Sequence, residues 1–163
     1  MKMEWGHRAR WIGLAITLVA ATACSDRFPG ASGPRLVELA GPLKQHGINR
    51  IFVATEKSLA GQWPEEWPQR FASGTEYLRV VVAFANRPGE GTTVNASVRT
   101  KAGPLELKRT GIAYTLQFEL KGEYYIAQKI EPSLDGFPDG PYQCVVNIGG
   151  VDIALLNWSV GSQ

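Results

Sequence analysis

The chain is poor in the residues on which most enzyme chemistry rests. Its 163 residues hold two cysteines and two histidines, and His46 is the only histidine past the first 23 positions. A hydrolytic triad needs a base beside its nucleophile, and no serine here sits in a recognisable elbow with a histidine partner. Zinc needs three or four closely spaced Cys, His or carboxylate ligands, and no such spacing occurs. A glycine-rich phosphate cradle is missing too, because Gly149-Gly150 is accounted for by a hairpin turn. The adjacent acids Glu65 and Glu66 cannot flank one glycosidic bond, since neighbours in an extended chain point apart. No catalytic residue, no metal and no cofactor are expected, and the chain does not read as an enzyme. His46 reads as a surface or capping residue.

Clustered charge is also lacking. Three of the 17 basic residues and one of the 15 acidic ones fall in the first 23 positions, leaving 14 of each, scattered, in the remainder. Nucleic acid demands a basic stripe that displaces counterions, so it is excluded as a partner. With Cys24 and Cys144 as the only cysteines, a disulfide framework is excluded as well. Cys144 reads as a small buried hydrophobe, a Cys24–Cys144 bridge being open only to a chain cut without lipidation.

Long apolar runs are absent but for one, Trp11 to Ala23, behind a head carrying Lys2, Arg8 and Arg10. A helix of that length rises about 20 Å against the roughly 30 Å of a bilayer core, so a spanning segment is disfavoured. A basic head, a short apolar core and small residues before a cut site read as a secretory signal over residues 1–23. Its end, Ala21-Thr22-Ala23-Cys24, resembles the lipobox of bacterial lipoproteins, with Ala21 where Leu is usual. The resemblance implies acylation of Cys24, cleavage before it, and a membrane anchor of palmitate-type chains. Ala21-Thr22-Ala23 also serves an ordinary signal peptidase, so a soluble product stays open. Ser25 after the cysteine, by the same resemblance, implies the outer membrane, with the domain facing the periplasm or the exterior.

Residues 24–47 read as the lipidated cysteine and a Gly-, Pro- and Ser-rich tether, with one or two loose helical turns where Leu36, Leu39 and Leu43 recur at helical spacing. From Ile48 the apolar period changes to 2. Strands are expected over 49–55, 76–86, 93–100, 105–109, 114–120, 124–130, 142–148 and 151–160. Glu76–Asn86 is apolar on both faces and should be central. In the last strand the inward face switches between Leu155 and Leu156, which predicts a bulge there. Seven to eight short antiparallel strands between turn signals argue an all-β sandwich over 48–163. Gly140-Pro-Tyr-Gln-Cys144 resembles the G-x-Y-x-C of immunoglobulin domains, which implies an Ig-like sandwich with Tyr142 as its structural corner and Cys144 on strand F. Asp139 lies one residue closer to the tyrosine than in that family, and no second cysteine is placed to cross the sheets.

The binding candidates are aromatic. Trp63-Pro64 and Trp67-Pro68 repeat within a long loop, with Phe71 nearby, and indoles on a stiffened loop can stack on sugars or anchor a protein. The bland alternative is that both indoles plug an open end of the sandwich. The sequence thus reads as a cell-envelope lipoprotein whose sandwich has a binding or assembly role with an envelope protein partner. The alternative is a glycan- or peptidoglycan-binding module using Trp63 and Trp67.

Overall fold

The structure, a computed structural model, describes residues 35–161 apart from 62, 64, 65, 109–114 and 134. The expected signal segment, Cys24 and the tether fall outside the described residues.

Stretches with period 2 and branched side chains form the long strands: β2 (Ile48–Ala54), β4 (Leu78–Phe84), β5 (Val94–Thr100), β7 (Thr115–Leu120), β8 (Glu123–Ile130), β9 (Gly140–Ile148) and β10 (Val151–Val160). Three short strands, β1 (Leu36–Glu38), β3 (Arg70–Phe71) and β6 (Gly103–Pro104), complete the ten among the described residues. One sheet runs β2-β4-β8-β7, and the other β1-β10-β9-β5-β6 with β3 also on β10. Among the seven long strands the orders are first-second-fifth-fourth and seventh-sixth-third. That is the A-B-E-D and G-F-C layout of an Ig-like sandwich.

The interior lies between the sheets. Leu78, Val80, Val82 and Phe84 of β4 meet Ile126 and Ile130 of β8, and pack against Val94, Val98, Cys144, Val146, Leu156 and Trp158 of the facing sheet. All seven residues of β4 are buried, which the apolar character of both its faces requires of a central strand. Gly149 and Gly150 turn the chain between β9 and β10 with φ of 58° and 89°, a pair of left-handed positions that disfavours any residue with a Cβ.

Four details depart from the sequence reading. Of the one or two helical turns expected over 35–47, one is present, the 3-10 turn Leu43–His46, while the stretch before it forms β1 instead. Gly41, at φ 86°, and Pro42 break the helix, and the outer edge of β10 offers Leu36–Glu38 backbone partners that an isolated turn lacks. The folded body therefore begins upstream of Ile48. The irregularity in β10 lies between Asp152 and Ala154, where Ile153 and Ala154 are both buried, rather than at Leu155/Leu156. Finally, the segment after Pro104 leaves its own sheet instead of forming a strand over 105–109. Leu105 N donates to Val98 O, whereas Leu107 bridges to Pro132 and Lys108 N donates to Glu131 O beyond the end of β8. Position 109 is outside the described residues.

The fourth departure is the Trp loop. After β2, a short helix α1 (Glu56–Ala60) opens a connection that ends at β3, which pairs parallel to β10. Trp63 and Trp67 plug neither end of the sandwich. They lie on the outer face of the β2-β4-β8-β7 sheet and form a second apolar layer.

Candidate functional site

Pairing register decides what that outer face presents. Arg50, Phe52 and Ala54 of β2 stand opposite Ala83, Val81 and Arg79 of β4, and the last two of these stand opposite Ala127 and Lys129 of β8. Ala54, Ala83 and Ala127 are fully buried and low, so they form a floor that flat rings can approach. Trp67 stacks on Phe52 at 4.2 Å between centroids, with 11° between planes. Trp63 meets Phe52, Trp67, Phe118 and Tyr125 edge to face, at 5.8, 5.2, 6.0 and 4.8 Å. Phe118 of β7 in turn stacks on Tyr125 of β8 at 5.1 Å. Edge-to-face and offset contacts of this kind each add about 1 kcal/mol to the burial of the rings.

Polar groups fasten the two ends of the layer. At one end, Thr55 caps α1 by accepting from Ser58 N at 3.1 Å. Glu56 on the same helix neutralises the buried Arg79 at 2.7 Å, so the charge left under the helix is paired. Trp63 Nε1 donates to the Leu59 carbonyl at 3.1 Å, which ties the indole to the helix it follows. At the other end Arg50 donates to Glu123 at 2.9 Å and to the Tyr125 hydroxyl at 2.8 Å, and its Cζ lies 5.9 Å from the centroids of Phe52, Trp63 and Tyr125. The Tyr125 hydroxyl donates to Glu123, which also accepts from Asn49 at 2.6 Å. The Tyr125 hydroxyl, with the Asn49 amide and the Arg50 guanidinium, holds the Glu123 carboxyl below the usual carboxylate range against its partial burial. Burial and the hydrogen bond to Glu123 push the Tyr125 phenol up.

The residues singled out from the sequence are thus divided. Trp63 and Trp67 are brought together, but Trp67 is only 5% exposed, with one face on Phe52, so it offers no open platform for a sugar. Trp63 keeps a partly exposed edge. Phe71 is not with them: it enters the sandwich interior through β3. Tyr142 is buried, donates its hydroxyl to the Pro138 carbonyl four residues upstream, and stacks on Trp158 at 5.7 Å. Burial and nearby Asp139 push its phenol up to about 12. Cys144 is fully buried, and burial takes its thiol to about 12. Exposed His46 bonds through Nε2 to the Ala40 carbonyl.

Sequence reasoning missed Arg50, Glu123, Phe118 and Tyr125. Their signal was present in part. Phe118 and Tyr125 occupy the strand face opposite to the inward residues, and two aromatics there on adjacent strands need a cover. Arg50 and Glu123 are ordinary surface charges until the register of β2 against β4 and β8 is known.

The other notable feature is an edge. β10 is closed along its outer side by β1 and then β3, and further bonds from Arg35, Leu39, Gln69 and Phe71 extend the bonding of its backbone from Ile153 to Gly161. β7, by contrast, pairs only with β8 among the described residues, and its Leu116 is 40% exposed. Among the described residues no group of three metal-ligating side chains occurs, and no helix is long and apolar enough to cross a membrane. Comparison of the chain with protein-family models, with curated proteins and with solved structures finds no match.

Proposed function

We propose that this chain is a bacterial cell-envelope lipoprotein, anchored through acylated Cys24, whose Ig-like sandwich binds or assembles with another envelope protein and performs no catalysis. The observation that carries the binding reading is the edge of β7. An edge strand with free N–H and C=O groups beside an exposed apolar side chain is a template for strand addition, in which backbone bonds give affinity and alternate side chains give selectivity. The edge at β10 is closed, and β2, which also ends its sheet, carries no exposed apolar side chain, so such pairing is read at β7. Charge supports a protein partner over nucleic acid, since the chain past residue 23 carries no excess of either sign. The glycan reading loses the feature on which it rested, because Trp67 is spent on Phe52.

Two measurements test the two halves. A photo-crosslinking residue at Leu116, introduced into the full chain in intact cells, should yield a discrete adduct with an envelope protein, and the same probe at exposed Val151 should not. Absence of an adduct specific to Leu116 removes the edge from the proposal. The anchor is read by thiol titration of the purified, unfolded chain: one reactive thiol, Cys144, is expected if Cys24 is acylated. Two thiols, or fatty-acid labelling that survives Cys24→Ser, would sink the lipoprotein reading.

A further inference from the structure

β7 is built the opposite way round from an ordinary sandwich strand. Its apolar residues Leu116, Phe118 and Leu120 turn to the outer face, as the pairing of Phe118 with Tyr125 shows. Gln117 and Glu119 stand opposite Ile126 and Tyr124, which belong to the inner face, so this strand brings polar groups to the flank of the interior. An inner face that carries Gln and Glu in place of Leu or Val cannot seal the sandwich. It leaves a cleft of about 1030 Å³ between β7–β8 and the connection from β4 to β5.

The cleft has a fixed far wall. In the connection Thr92 closes a turn by bonding the Gly89 carbonyl through both its amide (3.1 Å) and its hydroxyl (2.7 Å). The Thr93 carbonyl accepts from Gly149 N at 3.2 Å, which ties this wall to the β9–β10 hairpin. Arg87 and Glu90 line the cleft from this wall, Gln117 and Glu119 line it from β7, and Tyr124 and Ile126 line it from β8. Two carboxylates against one guanidinium disfavour an anionic ligand, and the polar walls disfavour a wholly apolar one. Arg87 offsets one of the acids, which weakens the case for a cationic peptide. What remains is planar donors and acceptors, suited to pairs of adjacent hydroxyls, in a lining that also holds a ring with an apolar body. The volume is at the upper end of ordinary ligand pockets, with room for an oligomer.

We propose that this cleft, walled by Arg87, Glu90, Gln117 and Glu119 over Tyr124, binds a neutral oligosaccharide. The cleft borders the Trp63/Trp67 layer at Phe118 and Tyr125, but its polar walls belong neither to that layer nor to the outer edge of β7, so it stands or falls separately from the protein-partner reading. The test is amide chemical-shift mapping of the full chain in detergent micelles, titrated with cellotetraose, chitotetraose and maltotetraose. One of these should move the signals of residues 89–92, 117–119 and 124, and Gln117→Ala/Glu119→Ala should weaken its binding at least ten-fold. Both residues are exposed, so the double variant should keep its fold, checked by unchanged signals from the Trp158 and Leu156 amides, which lie in the interior away from the cleft. No response to any of the three sugars overturns the proposal, as does undiminished binding by the folded double variant. A response confined to Trp63 and its neighbours also overturns it, since it would put the sugar on the other face of the sheet.

Discussion

The two faces of β4 are buried in different ways. Its inner residues, Leu78, Val80, Val82 and Phe84, meet a second sheet whose strands come from distant parts of the chain. Its outer residues, Arg79, Val81 and Ala83, are covered by a helix of five residues and a loop. The inner cover is largely aliphatic and hydrogen-bonded throughout by the sheet behind it. The outer cover is aromatic, and its backbone makes few regular bonds. Ordering a loop costs about 1–2 kcal/mol per residue of backbone freedom, and few large rings offset that loss better than many small side chains. Two ways of covering one strand therefore predict two kinds of response to damage. The interior should fail globally, and the outer layer should open locally.

The largest expected effect is in the interior. Ile126→Ala should lower the free energy of unfolding by about 4 kcal/mol, read from denaturant midpoints, and should raise amide exchange throughout the sandwich. Trp67→Ala removes the ring stacked on Phe52 and should cost about 3 kcal/mol. Its increase in exchange should be confined to residues 55–69 and the outer faces of β2 and β8. If Trp67→Ala instead raises exchange everywhere, the two layers are one cooperative unit and the contrast fails. Tyr142→Phe sharpens the same contrast from inside the interior. It leaves the Pro138 carbonyl without its donor and should cost about 1–2 kcal/mol with no local opening of the Trp loop.

The smallest effect concerns the polar fastening. Glu123 is held ionised in the fold more readily than in the unfolded chain, so its contribution is present above the ordinary glutamate value of about 4.3 and is lost as pH falls through its lower folded value. Stability measured by urea unfolding should decline below about pH 4.3, and part of that decline should vanish in Glu123→Gln, whose cost at neutral pH should be under about 1 kcal/mol. Glu131, held low by Lys108 and then Lys129, adds to the decline with the same sign, so the variant, not the wild-type curve alone, isolates Glu123. An unchanged pH profile in Glu123→Gln would show that the latch contributes nothing to holding the loop.

The difference between the faces also explains what the sequence makes legible. Period 2 in Val94–Thr100 and Tyr142–Ile148 reports the inner faces directly, because a strand with only one face on the interior must alternate. Loss of that alternation in Glu76–Asn86, apolar on both faces, marks it as central. It is silent about the cover of the outer face, because Trp63 and Trp67 sit in a connection with no period, and only the register of β2 on β4 places Phe52 and Arg50 beneath them. The cleft is legible in principle from Gln117 and Glu119 alternating with Leu116, Phe118 and Leu120. Alternation alone, however, does not say which of the two sets turns inward. β1 is hidden for a related reason: three residues are too few to show a period, and its pairing is dictated by the unfilled edge of β10.

That arrangement has a mechanical consequence. β1 is the first element reached by any pull entering the described chain at Arg35, and it holds β10 through a ladder of three residue pairs with one further bond on each side, at Arg35 and Leu39. Under load this ladder should part before any long strand does. Release of residues 35–42 would lengthen the chain ahead of the sandwich by up to about 27 Å, and the buried Leu43, anchored in the interior, would then take the strain. The first turn of extension leaves the seven long strands in register, so the molecule can yield at its N-terminal end like a seam with a stop stitch while the sandwich stays whole.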